Sequence, residues 1–187
     1  QPPARSIAGG SGNRVRLASG RVTNGGDEAD LVIAFNEQVL LGRIHAHELS
    51  PGCTILIENK WRDDDDAEVV TAYTRTVGEL EENGYVIQEI PMESECLKYV
   101  ADPRRGKNMF VLGMLCSIYS LDMQIAHEQV AFIFAKKDQN IIDNNIQLLD
   151  AGHEWAEEHL SFKYRIPPSQ MDVPQIVVNG NVSLGLG

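Results

Sequence analysis

ADLVIAFN at residues 29–36, CTILIEN at 53–59 and YVIQEIP at 85–91 are the stretches that decide the fold. The first two are continuous apolar runs of strand length, the pattern of strands buried on both faces. Between them, residues 37–49 place Val39, Leu40, Ile44 and Leu49 near helical spacing, and Ser50-Pro51-Gly52 stops the pattern. Before the third strand, residues 66–82 carry Val69, Val70, Tyr73, Val77 and Leu80 on one stripe, and Asn83-Gly84 supplies a helix C-terminal signal. Strands alternating with helices predict an α/β fold of three layers, a mostly parallel sheet flanked by helices on both faces.

Beyond Pro91 the character changes, and a helical C-terminal half is expected. Helical patterns cover about 92–101, 108–120, 122–135 and 138–159, and the second of these, NMFVLGMLCSIYS, is apolar nearly all round and predicts a buried helix. Residues 161–175 hold Pro167-Pro168 and Pro174 and read as a linker, after which IVVNGN at 176–181 opens a new strand and turn. Upstream, RVRLA at 14–18 alternates like a short strand before the turn signal Asn24-Gly25-Gly26.

The composition bounds the partners. With 43% hydrophobic residues, the 187-residue chain has material for a substantial core. A formal net charge of −11 opposes a grip on nucleic-acid phosphates or anionic lipid, so neither nucleic acid nor a membrane surface is an expected partner. Cys53, Cys96 and Cys116 are widely spaced and odd in number, which argues against a disulfide framework and for a reducing compartment, with the cytoplasm expected. They form no C-x-x-C pair, so an iron–sulfur cluster held by this chain alone would lack ligands, and buried small hydrophobes is the simpler reading. No apolar run reaches the ~18 residues of a membrane span.

In open α/β folds, ligands sit outside the carboxyl ends of the strands. Asn36, Asn59-Lys60 and the segment after Glu89 occupy those ends. For Asn36 the simpler reading is that it caps the helix that begins at Glu37, and for Asn59 that it sits in an ordinary turn. Arg104, Arg105 and Lys107 precede a helix start near Asn108, a combination able to hold an anionic group by charge and backbone donors together; a solvated loop is the competing reading. The Gly/Ser loop at 9–12 lets backbone approach a phosphate, although it is no G-x-G-x-x-G and precedes a strand. The run Asp63 to Asp66 leads into a helix, where negative charge complements the dipole, and a metal there is the lesser alternative. His45 and His47 are two apart and point to different faces of a helix, and the i,i+4 pair His153 and Glu157 lacks further ligands, so no metal site is expected. No G-x-S-x-G or H-E-x-x-H motif marks a hydrolase, and no catalytic residue is assigned.

Taken in order, these segments resemble the gamma domain of 2-oxoacid:ferredoxin oxidoreductases across roughly residues 8–160. ADLVIAFNEQVL at 29–40, LSPGCTILIEN at 49–59, KNMFVLGML at 107–115 and FAKKDQNIIDNNIQLLDAGHE at 134–154 are similar to successive stretches of that domain. VVNGNVSLGLG at 177–187 resembles the Gly-Asn start of the family's alpha domain, the thiamine-diphosphate pyrimidine-type domain. The resemblance implies a gamma-type α/β domain at 1–160, a linker at 161–175 and the beginning of an alpha domain at 176–187, as in fused large subunits of 2-oxoglutarate enzymes. It further implies that the gamma domain's first βα unit is absent, and the family's Arg-Gly-Gly motif stands here as Ala8-Gly9-Gly10. The implied enzyme decarboxylates a 2-oxoacid, preferably 2-oxoglutarate, delivers the acyl group to coenzyme A and passes electrons to ferredoxin. Thiamine diphosphate, an iron–sulfur cluster and coenzyme A belong to the intact complex, with none expected on this stretch alone. A beta-type subunit and ferredoxin are the implied partners in a hetero-oligomer. Gly9, Gly10, Asn36, Lys107 and Asn108 are the residues expected to lie toward coenzyme A.

Two other readings stay open. A non-catalytic assembly module fits the apolar helix at 108–120 and predicts no saturable coenzyme A binding that depends on this domain. A free-standing nucleotide-binding α/β protein would show a nucleotide-induced rise in melting temperature.

Overall fold

The central element is β2, Leu49–Glu58, flanked by β1, Ala29–Ala34, and β3, Val86–Ile90, in a three-stranded parallel sheet of order β1-β2-β3. The computed structural model describes residues 12–168. β2 is covered on both sides, which is why its apolar run is unbroken: Ile55 and Ile57 face one layer of helices and Leu56 the other, all fully buried. The expected α/β class with flanking helices is what forms.

Right-handed crossovers that step one way across a sheet put their helices on one face. Accordingly α1, Glu37–His45, and α2, Ala67–Glu82, share a core with β2 through Leu40, Tyr73, Val77 and Leu80. Asn36 caps α1, its side-chain oxygen accepting from the Val39 amide at 2.9 Å. Asp66 caps α2 in the same way through the Glu68 amide at 2.9 Å, so the acidic run serves the helix start. The chain leaves α2 at Asn83 and turns at Gly84, whose φ of +86° is the left-handed conformation that glycine adopts without strain.

The helical half packs on the opposite face. It comprises α3, Met92–Cys96, α4, Lys107–Ile118, α5, Met123–Ile133, and α6, Gln139–His159. Phe110, Met114 and Ile118 of α4 share one core with Leu56 and Ile90 of the sheet and Leu148, Ala151 and Ala156 of α6. Each large side chain buried this fully contributes roughly 1.5–3 kcal/mol. α4 and α6 touch backbone to backbone: a Cβ added to Gly113 would stand 1.9 Å from the Leu149 carbonyl oxygen, and one on Gly152 would stand 1.9 Å from that of Phe110. The glycines of the LGML and DAGHE segments therefore mark a helix crossing.

Several local expectations are corrected. Residues 14–18 form no strand; Val15 and Leu17 are exposed, and the alternating arginines instead bind nearby oxygens, Arg14 the Gly26 carbonyl at 2.7 Å and Arg16 the Asn24 side chain at 2.6 Å. The first helix ends at His45, because His47 adopts φ +55° and Leu49 already pairs with Ala29. Ser50-Pro51-Gly52 is thus a bulged entry into β2, where the register with β1 shifts between Ala29 and Leu31. The helix expected over 92–101 stops at Cys96, followed by a 3₁₀ turn at Pro103–Arg105.

Residues 161–168, read as linker, carry no regular secondary structure but lie on the core. The Tyr164 amide donates to the Ile118 carbonyl at 2.8 Å, its ring stacks on Tyr119, and its hydroxyl reaches Thr54 at 3.2 Å. Lys163 donates to the Ser117 hydroxyl at 2.7 Å and pairs with Glu157. The strand expected at 176–181 lies outside the described residues.

Candidate functional site

Three parallel strands end along one edge of the sheet, and the side chains there can be followed in turn. β1 runs out through Phe35 to Asn36; the Phe35 carbonyl accepts from the Trp61 indole N–H at 3.0 Å, tying β1's end to the turn after β2. Asn36 spends its side-chain oxygen on the α1 cap.

At β2's end the alternation that turns Leu56 toward α4 also turns Glu58 that way, and its side chain is 0% exposed. A buried carboxylate requires a partner. Lys107, the first residue of α4 and itself only 13% exposed, places Nζ 2.7 Å from Glu58 Oε2. The same ammonium lies 2.6 Å from Glu93 Oε2, and Lys60 Nζ reaches Glu93 at 2.9 Å (Oε2) and 3.1 Å (Oε1). The Lys60 ammonium also stands 4.3 Å from the Trp61 ring centroid, a cation–π contact. The result is a charge-balanced chain, Glu58–Lys107–Glu93–Lys60, running from the interior to the surface along the strand ends. Burial pushes the Glu93 carboxyl up, but hydrogen bonds from Lys107 and Lys60 outweigh that and hold it below the ordinary value of 4.5.

Of the residues expected from sequence, Lys107 and Asn108 open α4, with Asn108 exposed, and Asn36 ends the neighbouring β1; Gly9 and Gly10 lie outside the described residues. The basic cluster is divided. Arg104 is an exposed loop residue paired with Asp102 at 2.9 Å, whereas Lys107 is drawn inward. Glu58 and Glu93 escape the sequence reading. The signal for Glu58 was a charged residue in an inward position of an apolar strand; Glu93 gives no local signal, because its partners are far away in sequence.

The cysteines offer no cofactor ligand set. Cys53, Cys96 and Cys116 are free and buried apart from one another, and burial pushes the first two thiols up to about 12 and raises the third. Among the described residues, no group of three or more His, Cys, Asp and Glu side chains is placed to hold a metal ion, so an iron–sulfur cluster does not fit them. Glu157 is held low by hydrogen bonds from Lys163 and Ser117. Glu157, which stands at i,i+4 spacing from His153, instead helps to attach residues 161–168 through Lys163.

A parallel three-stranded sheet with ion-paired side chains at its strand carboxyl ends and a helical layer packed on one face defines an α/β domain. The chain belongs to the pyruvate ferredoxin/flavodoxin oxidoreductase family, which matches residues 6–155. It is similar to the 2-oxoglutarate oxidoreductase subunit KorA of Mycobacterium tuberculosis, with 26% identity over 195 aligned positions that cover 99% of this chain and 29% of that protein. Its fold is that of part of the 2-oxoglutarate:ferredoxin oxidoreductase from Magnetococcus marinus, solved with 2-oxoglutarate, coenzyme A and succinyl-CoA bound. That match has a TM-score of 0.65 at 22% identity and covers 89% of this chain and 26% of that one. The chain therefore spans well under a third of the length of these relatives. The family resemblance carried by the ordered motifs is borne out.

Proposed function

We propose that this chain is the gamma-type domain of a 2-oxoacid:ferredoxin oxidoreductase, with 2-oxoglutarate as the preferred substrate. The assembled enzyme oxidatively decarboxylates the 2-oxoacid to an acyl-CoA and passes the electrons to ferredoxin. Thiamine diphosphate and an iron–sulfur cluster supply the carbanion and electron-transfer chemistry and are held by other parts of the complex, including a beta-type subunit. This domain packs over the active-site region and helps position coenzyme A. Family membership and the names of both relatives support the activity; the observation that carries the positional role is the pair Lys60 and Lys107 at the strand carboxyl ends.

The chemistry asked of the domain is modest. Ammonium groups at the sheet edge bind and orient the phosphates of coenzyme A, with Asn108 beside Lys107 at the start of α4. Titration of the assembled complex with coenzyme A tests this: Lys107→Ala weakens binding roughly ten- to hundredfold, the cost of a lost charge-assisted contact. Unchanged affinity in a folded Lys107→Ala complex refutes the assignment.

The assembly-module reading has its own support and is compatible with the first. α5 turns Phe132, Ile133 and Ile125 outward, at 77%, 69% and 57% exposure, a concentration of apolar surface that suits a chain packed into a larger assembly.

A further inference from the structure

The four charges at the strand ends are not equivalent. Glu58 is fully enclosed and ion-paired with Lys107. Glu93 lies between the two lysines in the chain of charges, with its side chain 25% exposed, on the short helix α3 that follows β3. Its carboxylate bridges both ammoniums: Oε2 lies 2.6 Å from Lys107 and 2.9 Å from Lys60, and Oε1 lies 3.1 Å from Lys60. A carboxylate held between two cations occupies a place that a phosphate, with its own anionic oxygens, can fill.

Charge balance gives this its consequence. Two carboxylates and two ammoniums already neutralise one another, so an anion added to the intact network meets cations whose charge is spent. Exchange is different: if Glu93 swings into water and the anion takes its place, the balance is kept and Lys107 retains Glu58. Loss of Glu93 from the pair leaves no charge stranded in the interior, because Lys60 is 33% exposed.

We propose that Glu93 is an internal stand-in for a ligand phosphate, which coenzyme A displaces from Lys60 and Lys107, so that Glu93 sets the affinity of the strand-end site. This rests on the reading that coenzyme A meets these lysines. Glu58 is then the positioning residue, keeping the Lys107 ammonium aimed at the site whichever anion occupies it.

Calorimetric titration of the assembled complex with coenzyme A tests the exchange, with phosphate-free pantetheine as a second probe. Glu93→Gln removes the competitor, so coenzyme A binds roughly tenfold tighter at low salt. The gain shrinks as salt is added, and pantetheine affinity stays unchanged. Should Glu93→Gln not assemble, Glu93→Asp carries the test with the same sign and a smaller gain, because its shorter reach loosens the bridge. Lys60→Met separates the two levels of the claim. If Lys60→Met weakens coenzyme A binding but the Glu93 variants do not tighten it, or tighten pantetheine equally, the exchange is wrong and the positional role stands. If Lys60→Met and Lys107→Met both leave affinity unchanged, both ideas fall.

Discussion

Glu58 and Glu93 show how position, not residue type, assigns a role to a carboxylate. Glu58 is inward in β2 and wholly buried, so Glu58→Gln leaves the nearly buried Lys107 ammonium with Glu93 alone and is expected to cost about 3 kcal/mol. Glu93→Gln costs about 1 kcal/mol, since Lys107 keeps Glu58 and Lys60 reaches water. The second effect depends on pH. Because the folded carboxyl of Glu93 is held below 4.5, its contribution is complete above that value. It is lost as the pH falls through the lowered folded value. Urea unfolding is therefore expected to show a gap between wild type and Glu93→Gln that is full at pH 7 and begins to close below pH 4.5. A gap that widens on acidification would contradict the pairing. Lys107 was legible as a cation at a helix start and Asn36 as a cap; the carboxylates were not, because residues 58, 93 and 107 meet only after the sheet and α4 assemble.

At the scale of elements, the crossing of α4 and α6 is fixed by two glycines. Alanine in place of glycine usually gains about 1 kcal/mol in a helix. Here the new methyl would stand 1.9 Å from a main-chain carbonyl oxygen at either position, and backbone cannot rotate away as a side chain can. Overpacking wins, and Gly113→Ala or Gly152→Ala is expected to destabilise by about 3 kcal/mol, read as a lower urea midpoint with an unchanged slope. A stabilised variant would mean the helices are farther apart. The same elements show where a sequence speaks plainly. α2 and α6 announced themselves through apolar stripes, and α2 through its cap and stop signals as well. The stretch 14–18 misled because alternation alone does not make a strand: it has no partner edge and no core beneath it, and its arginines serve the loop. α3 ended early where the chain turned over Cys96, a tertiary demand invisible in the local pattern.

The molecule as a whole is a sheet with two unequal coverings, α1 and α2 on one face and the larger helical layer on the other. The alternation of strands and helices made that architecture readable, and the ordered motifs made the family readable. What composition could not reveal is the attachment of residues 161–168, where Tyr164 and Lys163 bind the end of α4 and orient the chain before Pro167-Pro168. The apolar outer face of α5 and the charged strand edge are two surfaces on a domain that lacks a cofactor ligand set among its described residues. Both are surfaces that the proposed role within a larger enzyme would use. The most direct measurement isolates the complex formed by this chain in its host and follows ferredoxin reduction with 2-oxoglutarate and coenzyme A supplied together or singly. A co-purifying subunit carrying thiamine diphosphate, and electron transfer that requires both substrates, are expected; a complex without that subunit, or one that reduces no ferredoxin with any 2-oxoacid, would overturn the proposed function.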